Sequence, residues 1–183
     1  MERLFAPWRI DWVTRDEDDT LDGCPFCVLP DGDDDRANRI VARSDHAFVV
    51  LNNAPYNPGH AMVIPYRHDG EYRALDAPEL LDHARLKQRT IEAIEAALDS
   101  DAHNVGLNLG GGPAGGSIDD HLHTHVIPRW EGDTNFMPVV ADTKVIVEAI
   151  DDTYDHLHEA FAAQADATVP SPDRAVSLSL SPD

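Results

Sequence analysis

The chain has 183 residues, 34 of them acidic and 14 basic, for a formal net charge of −20. That length suits one domain with a core of its own, and the charge disfavours nucleic acid or an anionic membrane as a partner. No stretch approaches the roughly 18 consecutive apolar residues a bilayer span needs, and Met1–Phe5 opens no signal-peptide core, so a cytoplasmic protein is expected.

Lys87 and Lys144 are the two lysines, and Asp far outnumbers Glu. A compact fold so charged repels itself in dilute buffer. Molar salt shortens the Debye length to about 3 Å and screens the repulsion, so the composition suits a halophilic cytosol.

Residues 1–23 read as an N-terminal arm. Phe5, Trp8 and Trp12 give it aromatic surface expected to pack on the body or on a second subunit. Residues 14–22 and 31–36 are acidic, solvated loops. Between them, Cys24-Pro25-Phe26-Cys27 is a thiolate pair at zinc-knuckle spacing. In a reducing compartment metal binding is the better reading of such a pair than a redox disulfide. One pair half fills a tetrahedral site, and any two of the ten histidines could complete it.

Ile40–Arg43 and Ala47–Leu51 are β-branched runs bounded by polar turns and read as strands. Asn52–Gly59, with Pro55, Asn57 and Pro58, is a turn, and Ala61–Pro65 a further short strand. Asp76-Ala77-Pro78-Glu79 then forms a capping box with proline in the first turn. The helix it starts is expected to run to about Leu98, with Leu80, Ala84, Ile91, Ile94 and Leu98 as its apolar stripe. His83 lies off that stripe and is expected to be exposed. Val105–Leu109 reads as a strand entering the glycine-rich loop 110–116. Helical spacing returns over 141–165 through Val145, Ile146, Ala149, Ile150, Leu157 and Phe161, with His156 and His158 solvated. Residues 166–183, rich in Ser, Pro and Asp, read as a disordered acidic tail. The order of strands, helix, then strands implies an α+β fold with an antiparallel sheet, a long helix between strands and a C-terminal helix.

The chemistry concentrates in His121-Leu122-His123-Thr124-His125-Val126-Ile127. Side chains two apart on a strand share a face, so three imidazoles stand in a row while Leu122, Thr124 and Val126 face the core. Imidazole is a nucleophile, a proton donor or a metal ligand near neutral pH. Consecutive glycine amides just upstream can hold an anion. Together these suggest phosphate or metal chemistry.

That run, with Leu51-Asn52, Pro58-Gly59-His60 through Pro65, His68, Asn108 and Gly116-Ser117 in the same order, resembles the histidine triad (HIT) superfamily of nucleotide hydrolases and transferases. The match covers about residues 24–137, within a domain expected at residues 24–140. Ala114-Gly115-Gly116-Ser117, Pro128-Arg129-Trp130 and Gly132-Asp133 are similar to the branch containing diadenosine tetraphosphate phosphorylases. The resemblance implies that His123 becomes nucleotidylated and that its other nitrogen is held by the triad backbone. His125 then hydrogen-bonds the phosphate or its bridging oxygen, and His60 supports the site. Gly116, Ser117 and Asn108 contact phosphate, and Asn52 contacts ribose. Phe48 and Leu51 are candidates for the base pocket. It further implies that His68 and His121 join Cys24 and Cys27 in a structural zinc site, and that the protein is a homodimer.

Arg67 and Arg129 are the cations best suited to a polyphosphate, or equally to ion pairs. Trp130 is expected to pack rather than stack on a base. The function implied is attack on the α-phosphorus of a (di)nucleoside polyphosphate through nucleotidyl-His123, with phosphate or water as acceptor. A phosphoramidate hydrolase is the nearest alternative, followed by a non-catalytic nucleotide-binding protein. A metal enzyme using all three histidines would need a further ligand motif that the sequence lacks.

Overall fold

The structure is a computed structural model and describes residues 23–114, 118–133 and 149–180. The meander comes first: β1 (Ile40–Arg43), β2 (Ala47–Leu51) and β3 (Ala61–Pro65) pair antiparallel. After helix α2 (Ala77–Leu98), β4 (Ala102–Gly106) and β5 (Thr124–Arg129) extend the sheet beyond β3. Helix α3 (Ile150–Ala162) leads to β6 (Ala167–Thr168) and β7 (Val176–Leu178) at the other edge. Among the described residues the sheet has seven strands in the order β4-β5-β3-β2-β1-β7-β6. Helix α1 (Pro25–Val28) is a single turn that Cys24 caps and that contains Cys27.

Alternation along the strands creates two different faces. Val49, Leu51, Val63 and Val126 pack with Leu86 and Ile94 of α2 and Leu157 and Phe161 of α3. Phe48, Val50, Met62 and Ile64 point the other way, toward Phe26 of α1. Burying each such side chain favours folding by about 1.5–3 kcal/mol relative to leaving it in water. Met62 lies opposite His125 in the β3–β5 ladder, which puts the triad on the α1 face.

The capping box of α2 forms as the sequence requires. The Asp76 carboxylate accepts from the Glu79 amide at 3.0 Å, and Glu79 accepts from the Asp76 amide at 2.9 Å. The buried stripe of α2 differs from the expected one: Leu86, Thr90, Ala93 and Ile94 are buried, and so are Asp82 and His83. Polar groups can be buried here because the sheet supplies partners. Asp82 accepts from Ser44 Oγ (2.6 Å) and the His46 amide (3.1 Å), and His83 meets Thr124 Oγ1 at 3.0 Å.

Two further expectations are corrected. The strand expected at Val105–Leu109 is Ala102–Gly106, because its ladder runs from Ala102 opposite Arg129 to Gly106 opposite His125. The tail expected to be disordered from residue 166 instead contributes β6 and β7, and β7 lies parallel to β1. Its polar composition hides a short alternating run in which Val176 and Leu178 are buried around Ser177. The run is pinned by Asp35, a buried carboxylate that accepts from the Ala175 amide at 2.9 Å and faces Arg43 and Arg174. The N-terminal arm, including Trp8 and Trp12, and residues 141–148 of the expected C-terminal helix lie outside the described residues.

Candidate active site and metal cluster

The β5 strand begins at Thr124; His123 lies just ahead of it, and His121 sits in a bend two residues earlier. A carbonyl oxygen only accepts, so the 2.8 Å contact between His123 Nδ1 and the His121 carbonyl puts the ring hydrogen on Nδ1. Nε2 is left with its lone pair. The ring is packed against Phe26, centroids 5.3 Å apart, and meets His125 edge-on at 5.1 Å. The residue is buried, with 8 % of its surface exposed. On the far side of His125, His60 Nε2 stands 2.9 Å from His125 Nδ1. The Tyr56 amide donates to His60 Nδ1 at 3.2 Å, and the Tyr56 ring stacks on that imidazole. His60 is fully buried at the entrance to β3, where the preceding turn is held tight: Gly59 has φ +76°, and a Cβ there would strike Leu98.

Four side chains converge at the other end of the row. Ligand atoms of Cys24, Cys27, His68 and His121 all lie within 4.8 Å of one another. His121 Nδ1 is 3.4 Å from Cys24 Sγ and 3.6 Å from Cys27 Sγ, and His68 Nδ1 is 3.0 Å from Cys27 Sγ. These separations suit four ligands around one tetrahedral ion with bonds of about 2.0–2.3 Å. The outer contacts fit as well. His121 Nε2–H donates to the Pro65 carbonyl at 2.8 Å, which turns the lone pair of Nδ1 inward. The His68 Nε2 lies 3.4 Å from Asp120 Oδ2. An imidazole whose second nitrogen is held by a carbonyl or carboxylate is the usual arrangement around a bound metal. Burial lowers the His121 pKa from its ordinary value, so the ring is neutral and able to ligate; burial also raises that of the Cys27 thiol in the metal-free cluster. The donor set therefore fits zinc.

Residues 35–132 match the HIT domain. The chain belongs to the HIT domain family. It is 38% identical over 170 residues to an AP-4-A phosphorylase of Mycobacterium tuberculosis, covering 90% of this chain and 86% of that protein. A Zn-bound histidine triad family protein from Mycobacterium smegmatis shares the fold with a TM-score of 0.61 at 23% identity, over 76% of this chain and 94% of that one. A hypothetical histidine triad nucleotide-binding protein from Sulfolobus tokodaii superposes with a TM-score of 0.56 at 26% identity, over 75% and 89% of the two chains. This HIT protein is accordingly an enzyme of the nucleotide hydrolase/transferase class.

The remaining residues singled out in the sequence fall in several places. Asn52 ends β2 and its Oδ1 accepts from the Ala54 amide at 2.9 Å, an Asx turn; its Nδ2 lies 3.5 Å from Met62 Sδ. Asn108 is exposed in the loop after β4. Gly116 and Ser117 lie outside the described residues. Phe48 and Leu51 do not line one base pocket. Three apart on β2, they point to opposite faces, and both are buried in core. The two arginines are engaged by carboxylates: Arg67 Nε by Glu79 at 2.8 Å, Arg129 Nε and Nη2 by Asp133 at 2.5 and 2.9 Å. Trp130 packs, its Nε1 donating to the Asp99 carbonyl at 3.1 Å. Tyr56, Asn57 and Asp133 are the contributors that sequence reasoning missed; their only mark was proximity to His60 and to Arg129.

Proposed function

We propose that the chain cleaves a dinucleoside polyphosphate, with a dinucleoside tetraphosphate as substrate and orthophosphate as acceptor. The His123 Nε2 lone pair forms a bond to the α-phosphorus while the bond from that phosphorus to the bridging oxygen breaks, its electron pair leaving with the nucleoside triphosphate. A phosphate oxygen then forms the new P–O bond, the N–P bond breaks, and its pair returns to Nε2. Dividing one displacement into two suits imidazole, which attacks and leaves well. His125 donates to the bridging or α-phosphate oxygen, and His60 supports His125. Gly116 and Ser117 supply donors to the phosphate, Asn108 a further polar contact, and Asn52 a contact to ribose.

The observation that carries this reading is the Nδ1–H of His123 on the His121 carbonyl, which in the neutral ring leaves the lone pair on the opposite nitrogen. The 38% identity to an AP-4-A phosphorylase supports the choice of substrate. Incubation with diadenosine tetraphosphate tests it: ADP plus ATP form only when phosphate is present. AMP plus ATP regardless of phosphate would make water the acceptor, and turnover confined to adenosine phosphoramidate would transfer the function to P–N bonds.

Three further assignments belong to the same reading. Cys24, Cys27, His68 and His121 hold a structural zinc that ties the knuckle to the triad without touching substrate. A homodimer forms, to which the exposed edge strand β4, with Val105 nearly half accessible, offers a surface. The protein works in a saline cytoplasm, where salt screens the self-repulsion of its charge of −20. No helix among the described residues is long and apolar enough to cross a membrane.

A further inference from the structure

We propose that Asn57 and Asp133 are positioning residues which, through the Tyr56 amide and His60, hold His125 in the one tautomer that can donate from Nε2. The proposal rests on the reading above that His125 serves the phosphate attacked by His123.

The polarity of the chain follows from its first member. A backbone N–H only donates, so His60 Nδ1, 3.2 Å from the Tyr56 nitrogen, must be an acceptor without hydrogen. A neutral imidazole lacking hydrogen on Nδ1 carries it on Nε2. That Nε2 is 2.9 Å from His125 Nδ1, so His125 accepts there and carries its own hydrogen on Nε2. One unambiguous amide thus sets two rings in sequence. A hydrogen on Nδ1 of either ring would bring two donors face to face. His123, held by a carbonyl rather than an amide, takes the opposite tautomer. Adjacent imidazoles consequently offer a lone pair and a donor, the complementary pair a displacement at phosphorus needs.

The device works only if the Tyr56–His60 turn stays in place against β5. Asn57 supplies that attachment. Buried between the turn and the strand end, it spends both amide hydrogens there: Nδ2 donates to the Pro128 carbonyl and to Asp133 Oδ2, each at 3.0 Å. Its own carbonyl accepts from the His60 amide at 3.1 Å, closing the turn. Asp133 is fixed in its turn by Arg129 and by the Trp130 amide at 3.3 Å. The Arg129 guanidinium holds its carboxyl below the usual range, so it remains an acceptor. The Arg129–Asp133 pair therefore braces the site from behind and is not a phosphate clamp.

Two measurements test this. In protein labelled with 15N-histidine, long-range proton–nitrogen spectra should show hydrogen on Nε2 and none on Nδ1 for both His60 and His125, and the reverse for His123. Hydrogen on His125 Nδ1 in the unmodified protein overturns the proposal, whatever the substrate proves to be. Asn57→Ala should lower kcat on diadenosine tetraphosphate about 10- to 100-fold, up to the low end of what a positioned proton donor contributes, with KM changed less than threefold and the His125 tautomer signal averaged. Because Asn57 acts through His60, the Asn57→Ala/His60→Ala double variant should be no slower than His60→Ala alone. Full additivity of the two losses overturns the positioning role. Should Asn57→Ala fail to fold, Asp133→Asn removes the charge at constant shape, and the same tautomer averaging and non-additivity with His60→Ala are expected. Unchanged spectra in that variant count against the brace. Absence of turnover on the tetraphosphate in the parent, with the expected tautomers present, would reject the substrate and leave the relay standing.

Discussion

Imidazoles flank strand β5 on both sides, and the two sides use them differently. Toward the helices, His83 reaches Thr124 Oγ1, a hydroxyl that can donate or accept and so does not itself dictate a tautomer. Its Nδ1 is buried without a hydrogen-bond partner. Toward α1, each ring of the reacting group faces a partner of fixed character: a carbonyl for His123, and for His60 an amide that in turn orders His125. Burial alone therefore does not make a histidine useful. A partner that leaves one nitrogen no choice does.

The comparison can be broken most severely at His123. His123→Ala should lower turnover by on the order of 10⁴-fold or more, as expected when a covalent nucleophile is lost, and quenched-flow trapping should recover no nucleotidyl-protein. His83→Leu should leave turnover within a few-fold. Loss of metal comes next. Chelation, or Cys27→Ser, is expected to lower the melting temperature by about 10 °C, equivalent to a few kcal/mol in a chain this size; bound zinc near one equivalent per chain in the untreated protein checks the assignment.

The helix side is sharpened by pH. Burial lowers the His83 pKa to about 4, against an ordinary value of 6.5. The unfolded chain binds the proton first, so the contribution of neutral His83 is full above pH 6.5 and is lost as the pH falls toward 4. The loss amounts to roughly 3 kcal/mol. Denaturant titrations at pH 7 and pH 4.5 should show a smaller difference for His83→Leu than for the parent; equal differences would mean the ring is already charged in the folded state. Salt should have the smallest specific effect, because it acts on both sides of the sheet alike. Moving from dilute buffer to molar KCl is expected to raise the melting temperature by several degrees through screening of the surface charge.

Much of the site was legible because its signals are local. Residues two apart announce the triad row, Cys24 and Cys27 announce half a metal centre, and Asp76 with Glu79 announces the start of α2. What escaped depends on partners distant in sequence. His83 falls outside the apolar stripe of its helix, and only Thr124, 41 residues on, makes its burial tolerable. Asn57 looks like one more turn residue until Asp133, 76 residues away, closes on it. Val176 and Leu178 are too short a run to outweigh the Ser, Pro and Asp around them, and it is Asp35 that holds them to the body. Phe48 and Leu51, expected as walls of one base pocket, are set on opposite faces of the sheet by strand alternation.

His121 serves two neighbourhoods with two different parts of itself. Its ring belongs to the sulfur cluster, and its carbonyl is the post against which the attacking imidazole leans. A shift of that backbone when the ring loses its ion would tilt the attacker as well as loosen the knuckle. With zinc held by this cluster as proposed, its loss would reach the catalytic rate through a single peptide unit, with no domain motion needed to carry the message.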